Sequence, residues 1–572
     1  MLKLAGRSTQ FRDAVARELN LKSSQSVTKP SRRSRRFRRS FDGGDTRDTC
    51  HYHPGQLEDE IFEFMSQTPE GRIFKVLKSV SMWSCCEEEP GSVGCIDVLV
   101  VGHLKFHRSA TKPTYGSPED FGKAIEELKR TFPGEDIVST DPEDVYNHGF
   151  SVNDYHPGIS HSVVVYPSTT EDVVKIVKIA TKYRMPITAY SGATSLEGQF
   201  RGYFTGGICI DMSQMNQILE INEADSDLVC QPGVGWVEIN DTLRDKGIPL
   251  FFPIDPAPSA TLGGMISNGC SGTNAVRYGT SKGEWFLNVT VVLPSGEVIK
   301  TRRRSRKSSA GFDTTKLFIG AEGTLGIITE GSRQFFLRRW PLFTFRIGVG
   351  IQCVELLDDV FMHAVNNFGQ SGRTWPVKDT LFFKLQGHND TSLRDTAKVV
   401  KEVAEKYGGF GFQLAKNDKE ADDLWHDRKN AHYSGLALVP GSRPIATDVC
   451  VPVSRLPDLV YETKKDLSTL GLVAPIVGHV GDGNFHAQIM FTNDAQLAVA
   501  KEAVERMVHR AIAMDGTCTG EHGVGIGKKK YLVEELGAGT VELMKMVKRT
   551  LDPLGLFNPG KLYPDDDENK TQ

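Results

Sequence analysis

The chain has 572 residues, 39% hydrophobic, 24% charged and 9% aromatic, with a formal net charge of −4. That composition excludes extended disorder, collagen-like repeats and a polytopic membrane protein, and the length allows two to about four domains. Ten cysteines without a CxxC pair do not fit a disulfide scaffold or a zinc ribbon.

The charge is unevenly spread. Met1–Ser40 is rich in Arg and Ser and nearly free of acid, with a cluster at Arg32, Arg33, Arg35, Arg36, Arg38 and Arg39. Those are the features of a mitochondrial transit peptide, against a nucleic-acid arm or a solvated tail. The acidic remainder disfavours a nucleic-acid surface on the body. No run approaches the ~20 apolar residues needed to span a bilayer. The best, Val93–Leu104, is interrupted by Asp97. Residues 42–110 show little periodicity and read as a linker or poorly ordered segment, so that 1–110 is transit peptide plus linker.

From about residue 118 the pattern is regular. Val163–Val165 reads as a strand, Ser168-Thr-Thr-Glu171 as a capping box. Val173, Ile176, Val177 and Ala180 mark an amphipathic helix, and Pro186–Tyr190 a returning strand. Four glycine-rich, polar loops follow. They are Ser191-Gly-Ala-Thr-Ser195, Gln231-Pro-Gly-Val-Gly-Trp236, Pro253 through Gly279, and Ala321-Glu-Gly-Thr-Leu-Gly-Ile327. Such loops let backbone amides approach a large ligand, and a pyrophosphate-bearing dinucleotide fits them. There is no GxGxxG after a strand. Gly555-x₄-Gly560-Lys561 fails as a P-loop, because Leu562 replaces the Ser/Thr and Pro559 has no amide to offer.

The assembly SGATS, QPGVGW, PIDPAPSATLGGMISNGCSGTNAVRYG and GAEGTLGIITE resembles the FAD domain of the vanillyl-alcohol-oxidase (PCMH-type) flavoproteins. It is closer still to the FAD-dependent D-lactate dehydrogenases that reduce cytochrome c. The likeness runs from about 115 to 565. It implies an α+β architecture: a PCMH-type FAD-binding domain over 111–338 and an FAD-linked oxidase C-terminal domain with a ferredoxin-like sheet over 339–572. It further implies FAD phosphates on Ser191, Gly192, Ala193, Thr194 and Ser195. Further cofactor contacts would come from Pro256, Thr261, Gly264, Ser267, Gly272, Thr273, Gly323, Ile328 and Asn558, with Lys561 near the flavin. Some members attach FAD covalently through a His in the first loop; Ala193 stands in this loop, which implies a dissociable flavin.

In the second half, strand-like runs (Phe343–Val349, Leu381–Leu385, Ile445–Val451) alternate with helical ones (Val354–Phe368, Leu393–Tyr407, Leu497–Met514). Two segments carry candidate chemistry. In Gly478-His-Val-Gly-Asp-Gly-Asn-Phe-His486, the seven-residue spacing would put His479 and His486 on opposite faces of a straight strand. A turn at Gly481-Asp-Gly483 would let them converge. Gly520-Glu-His-Gly-Val-Gly525 adds Glu521 and His522. Two His and a Glu make a ligand set for Zn²⁺ or a similar divalent ion, against capping or core roles for isolated histidines. By the resemblance, His479, His486 and Glu521 bind the metal, His522 is the catalytic base, and Asn484 supports the site. Arg428 in Trp425-His-Asp-Arg-Lys-Asn430 matches the family's carboxylate-binding arginine, whose fork suits a carboxylate through two parallel bonds. Lys429 and Arg443 are weaker candidates.

These expectations describe FAD-dependent oxidation of D-lactate to pyruvate, with cytochrome c as acceptor, in the mitochondrion. Matrix, intermembrane and membrane-attached positions all stay open. The alternative is a larger D-2-hydroxy acid, D-2-hydroxyglutarate or glycolate. Members acting on 2-hydroxyglutarate have a Lys where Asp448 or its neighbours align, and its absence favours a monocarboxylate. A non-enzymatic flavin binder would keep its colour on adding D-lactate. A basic-tailed nucleic-acid binder would show salt-dependent binding that vanishes without residues 1–41.

Overall fold

The regular pattern begins with the helix Pro118–Thr131, capped by a reciprocal Ser117–Asp120 box and burying Phe121, Ala124 and Leu128. The computed structural model describes residues 113–134, 136–337, 350–369, 372–387 and 389–565, and the backbone of three strands between 36 and 83. The transit-peptide reading and the apolar run at 93–104 lie outside the described residues, as does the expected strand at 343–349. Within the stretch read as a linker, Leu57–Gln67 and Ile73–Trp83 pair antiparallel over eleven residues each. The alternation at Phe74, Val76, Val80 and Met82 is the strand signal that the surrounding acidic and glycine residues obscured.

Val163–Val165, Ile187–Tyr190 and Ile208–Asp211 form a parallel set, edged by Val138–Ser139, in a four-stranded sheet. The helix Thr170–Tyr183 covers it, burying Val173, Ile176, Val177, Ile179 and Ala180. Each large aliphatic among them contributes about 1.5–3 kcal/mol. Its N-cap is Thr169, whose side chain accepts from Asp172. The expected Ser168–Glu171 box is therefore one residue early. Phe286–Val292, Ile327–Gln334, Asp227–Cys230, Ile218–Asn222 and Val298–Lys300 make a second, fully antiparallel sheet. Val292 and Ile327 pack into the core of the first sheet.

The third sheet runs Thr380–Leu385, Ile351–Leu357, Ile476–Gly478, Asn484–Phe491, Arg443–Ala446, all antiparallel. Helices Asp359–Phe368, Asp390–Lys406 and Asp494–Ala513 accompany these strands. The expected helix from Val354 is a strand up to Leu357. Asp358, which accepts from the Phe361 amide, starts the helix only afterwards. The expected strand 445–451 is broken at Thr447-Asp448, giving Arg443–Ala446 and Val449–Cys450, both paired to Asn484–Phe491. The chain then returns to the first sheet. Ile187 donates to Leu556 O, and Asn558 donates to Ile187 O, which brings Asn558 beside the glycine-rich loops.

Candidate active site

The glycine-rich loops converge on one cleft. Its wall includes Ser191, Gly192, Ala193, Thr194, Ser195, Pro256, Thr261, Gly264, Ser267, Gly323, Ile328 and Asn558. Thr261 fixes the first loop: its Oγ1 lies 2.6 Å from Ser191 Oγ and accepts the Gly192 amide at 3.1 Å. A Cβ on Gly192 would come within 2.6 Å of Ser259 O, so only glycine brings the backbone this close. Ala193 has φ +50, a cost tolerated where surroundings over-determine the backbone. A wall of small residues and backbone amides lets a ligand's phosphates approach the main chain, which suits a dinucleotide such as FAD.

Gly272 and Thr273 stand apart from this wall. Thr273 Oγ1 donates to Asp255 Oδ2 at 2.6 Å, and a Cβ on Gly272 would meet the Asp255 backbone at 2.7 Å. They close the Asp255 loop on itself, a structural task for which glycine-rich sequence is equally suited. Lys561 is also directed elsewhere, donating to Arg201 O at 2.6 Å while buried.

Glu521 and His522 lie on the wall of the same cleft. The turn at Gly481–Gly483 makes Ile476–Gly478 and Asn484–Phe491 a hairpin, with Val477 opposite His486. Both imidazoles then reach one carboxylate oxygen: Glu521 Oε1 is 3.0 Å from His479 Nε2 and 3.3 Å from His486 Nε2. Two imidazoles meeting one carboxylate oxygen are the donor types that bind Zn²⁺ or a similar divalent ion, but the described donor atoms grouped within 4.8 Å of one another belong to Asp448, His486, Glu521 and His522, without the expected His479. Each imidazole is held through its other nitrogen. His479 Nδ1 is 2.9 Å from Glu355, and His486 Nδ1 is 2.9 Å from Thr447 O. That backing is the usual one for metal-binding histidines. Within that grouping Asp448 is committed: its oxygens accept from Asn484, Thr519 and the amides of Glu521 and His522. Those four bonds hold the loop that carries Glu521 and His522.

Arg428 is buried beside this set, and its Nε and Nη2 both donate to Glu355 Oε2, at 3.1 and 2.5 Å. The expected two-bond grip on a substrate carboxylate is corrected here, because that edge of the fork already serves Glu355. Lys429 lies 5.9 Å over the Trp236 ring, and Arg443 donates to Asp154 O; neither joins the cluster.

A family model for FAD linked oxidases, C-terminal domain, matches residues 341–562, and one for an FAD binding domain matches 161–302. The chain is 41% identical over 453 residues to "D-lactate dehydrogenase [cytochrome], mitochondrial" of Arabidopsis thaliana, covering 75% of this chain and 78% of that one. It is 39% identical to the corresponding protein of Saccharomyces cerevisiae, covering 80% and 83%. The chain belongs to the FAD-linked oxidases, in the D-lactate dehydrogenase (cytochrome) family. 4-Ethylphenol oxidase from Gulosibacter chungangensis shares the fold, with a TM-score of 0.64 at 20% identity over 79% of this chain and 99% of that one.

As an FAD-linked oxidase, and so a flavin oxidoreductase, the chain needs a group able to take a proton next to the flavin cleft. Burial pushes the His522 imidazole down to about 4, with Asp448 opposing and His486 adding to the effect, so it is neutral at physiological pH. Its Nδ1 is buried without a partner among the described residues, and its ring stacks on His486 at 4.8 Å. Burial alone would raise the Glu521 carboxyl, but the facing His479 and His486 hold it well below the usual range. His479 is pushed up between Glu355 and Glu521 against its own burial.

Sequence reasoning missed Glu355 and Asp448. Glu355 stands alone in the apolar run Cys353-Val-Glu-Leu-Leu357 and is fully buried. A lone acid inside a buried strand is the signal, since an unpaired charge there is too costly to persist without a partner. Asp448 sits at the strand break and carries no comparable mark in sequence.

Proposed function

We propose that this chain oxidises D-lactate to pyruvate in the cleft shared by the flavin-binding loops and His522, and passes the electrons to cytochrome c. The observation that carries this reading is that Glu521 and His522 share one wall with Ser191–Ser195 and Gly264. The relatives' names supply the substrate, the acceptor and a mitochondrial location.

Ser191–Ser195, Thr261, Gly323 and Asn558 would hold FAD, which when bound would supply a two-electron acceptor for the hydrogen of the substrate α-carbon. His479, His486 and Glu521 would hold a divalent ion, with Zn²⁺ the first candidate, which when bound would supply a positive charge favouring an ionised hydroxyl. The remaining work belongs to side chains. Arg428 turns Nη1, which carries no bond among the described residues, to the substrate carboxylate. The neutral His522 imidazole accepts the hydroxyl proton. Glu355 orients both Arg428 and His479, so carboxylate binding and metal geometry share one anchor. The buried surroundings exclude water and strengthen each of these interactions.

His522→Ala should lower D-lactate-dependent cytochrome c reduction by about 10²–10⁴-fold, the typical contribution of a general base, while flavin absorbance persists. Turnover within a few-fold of the unaltered protein would remove His522 from the mechanism.

A further inference from the structure

The segment carrying Glu521 and His522 has glycine at 520, 523 and 525, so its own backbone preferences do not fix it. It is held from outside, by both halves of the molecule. From the C-terminal half, Asp448 Oδ2 accepts from Thr519 Oγ1 and the amides of Glu521 and His522, each at 2.8 Å. From the flavin-binding half, Gln199 Nε2 donates to His522 O at 2.7 Å. Glu322 then takes the next two amides, Val524 on Oε1 at 2.6 Å and Gly525 on Oε2 at 2.9 Å.

Glu322 belongs to two places at once. Its main chain is part of the flavin wall, between Ser267, whose carbonyl accepts the Glu322 amide at 2.8 Å, and Gly323. Its own carbonyl accepts from Asn558 Nδ2 at 2.7 Å, and its φ is +52, an uncommon conformation for a side-chain-bearing residue. Its carboxylate lies in the next loop. The contact is close-packed: a Cβ on Gly523 would fall 2.7 Å from Glu322 Oε1 and 2.8 Å from Gln199 Nε2. Burial pushes this carboxyl up to about 7, with the two amides pulling the other way. Burying an acid there is costly, and the two amide bonds are what offset that cost.

We propose that Glu322 is a positioning residue that ties the flavin-binding wall to the His522 loop, so that order in the one sets the place of the other. The kinetic part rests on the role given to His522 above; the structural part does not. The test is hydrogen–deuterium exchange on the full-length protein, comparing Glu322→Gln and Glu322→Asp with the unaltered chain, alongside flavin content, kcat and KM for D-lactate. Gln presents an amide NH₂ to one of the two N–H groups, so peptides covering 519–527 should exchange at least about tenfold faster, as expected for local opening when charge-assisted bonds are lost. Peptides covering 484–491 should not change. The kcat should fall about 10–100-fold with KM within about threefold, since a displaced base loses transition-state interactions more than substrate binding. Glu322→Asp keeps the charge but shortens the reach, and should show the same exchange pattern to a smaller degree. Unchanged exchange at 519–527 in either variant would overturn the proposal, as would faster exchange with unaltered kcat. If Glu322→Gln fails to fold, Glu322→Asp alone decides it. Should D-lactate prove not to be the substrate, the exchange result still stands, so the two failures are distinguishable.

Discussion

His161 shows what a single buried group does to this protein. Its Nε2 lies 3.1 Å from Phe200 O, its Nδ1 has no partner among the described residues, and burial pushes it down to about 4. The unfolded chain takes a proton near pH 6.5, and the folded chain refuses it until about pH 4. Stability is therefore fully present above pH 6.5 and is lost as pH falls toward 4, by about 3 kcal/mol from this group. His161→Gln should flatten the dependence of the unfolding midpoint on pH between 4 and 6.5; an unaltered slope would refute this assignment. Glu355 is the second residue with a sharp expectation. It accepts from Arg428 and meets His479, all three buried. Glu355→Ala would leave the guanidinium without its partner, and removal of one member of a buried pair costs roughly 3–5 kcal/mol. A lowered denaturant midpoint should accompany loss of activity.

The hairpin of Ile476–Gly478 and Asn484–Phe491 is the element on which the metal reading depends. Gly483 has φ +84, and a Cβ there would come within 2.0 Å of Val451 O. Gly483→Ala should strip bound metal and lower activity by more than about tenfold while flavin absorbance remains, because the two histidines would no longer meet. Retained metal with retained activity would show that the turn is not what aligns them. This hairpin was legible in sequence: the odd spacing of His479 and His486 required a turn, and Gly481-Asp-Gly483 supplied one. The loops Ser191–Ser195 and Ala321–Ile327, each an ordinary turn when read alone, were legible as a set because several glycine-rich loops recur in order, and the structure brings them to one cleft. Gly272 and Thr273 were not, since glycine and threonine beside a ligand and glycine and threonine closing a loop on Asp255 look the same along the chain. The strand Ile351–Leu357 was misread because a short apolar run suits a buried strand and a helix equally. That error hid Glu355. Asp448 was hidden for another reason, as its partners lie 36 to 74 residues away in sequence.

At the scale of the whole molecule, the described body joins two kinds of structure through one cleft. The flavin-binding half lines it with backbone and small side chains, and the C-terminal half with Glu521, His522 and Asn558. Neither half alone assembles the site, since Glu322 and Gln199 grip the loop that carries His522. The activity proposed for this junction is the oxidation of D-lactate with the help of a bound ion. The most direct test is an anaerobic titration of the purified protein with D-lactate, L-lactate and D-2-hydroxyglutarate, following flavin absorbance before chelation, after chelation and after adding Zn²⁺ back. D-Lactate should bleach the flavin ahead of the other two, at least about tenfold more slowly with the chelator and at the original rate once the ion is restored. Flavin that D-lactate leaves oxidised, or bleaching indifferent to chelation, would contradict it.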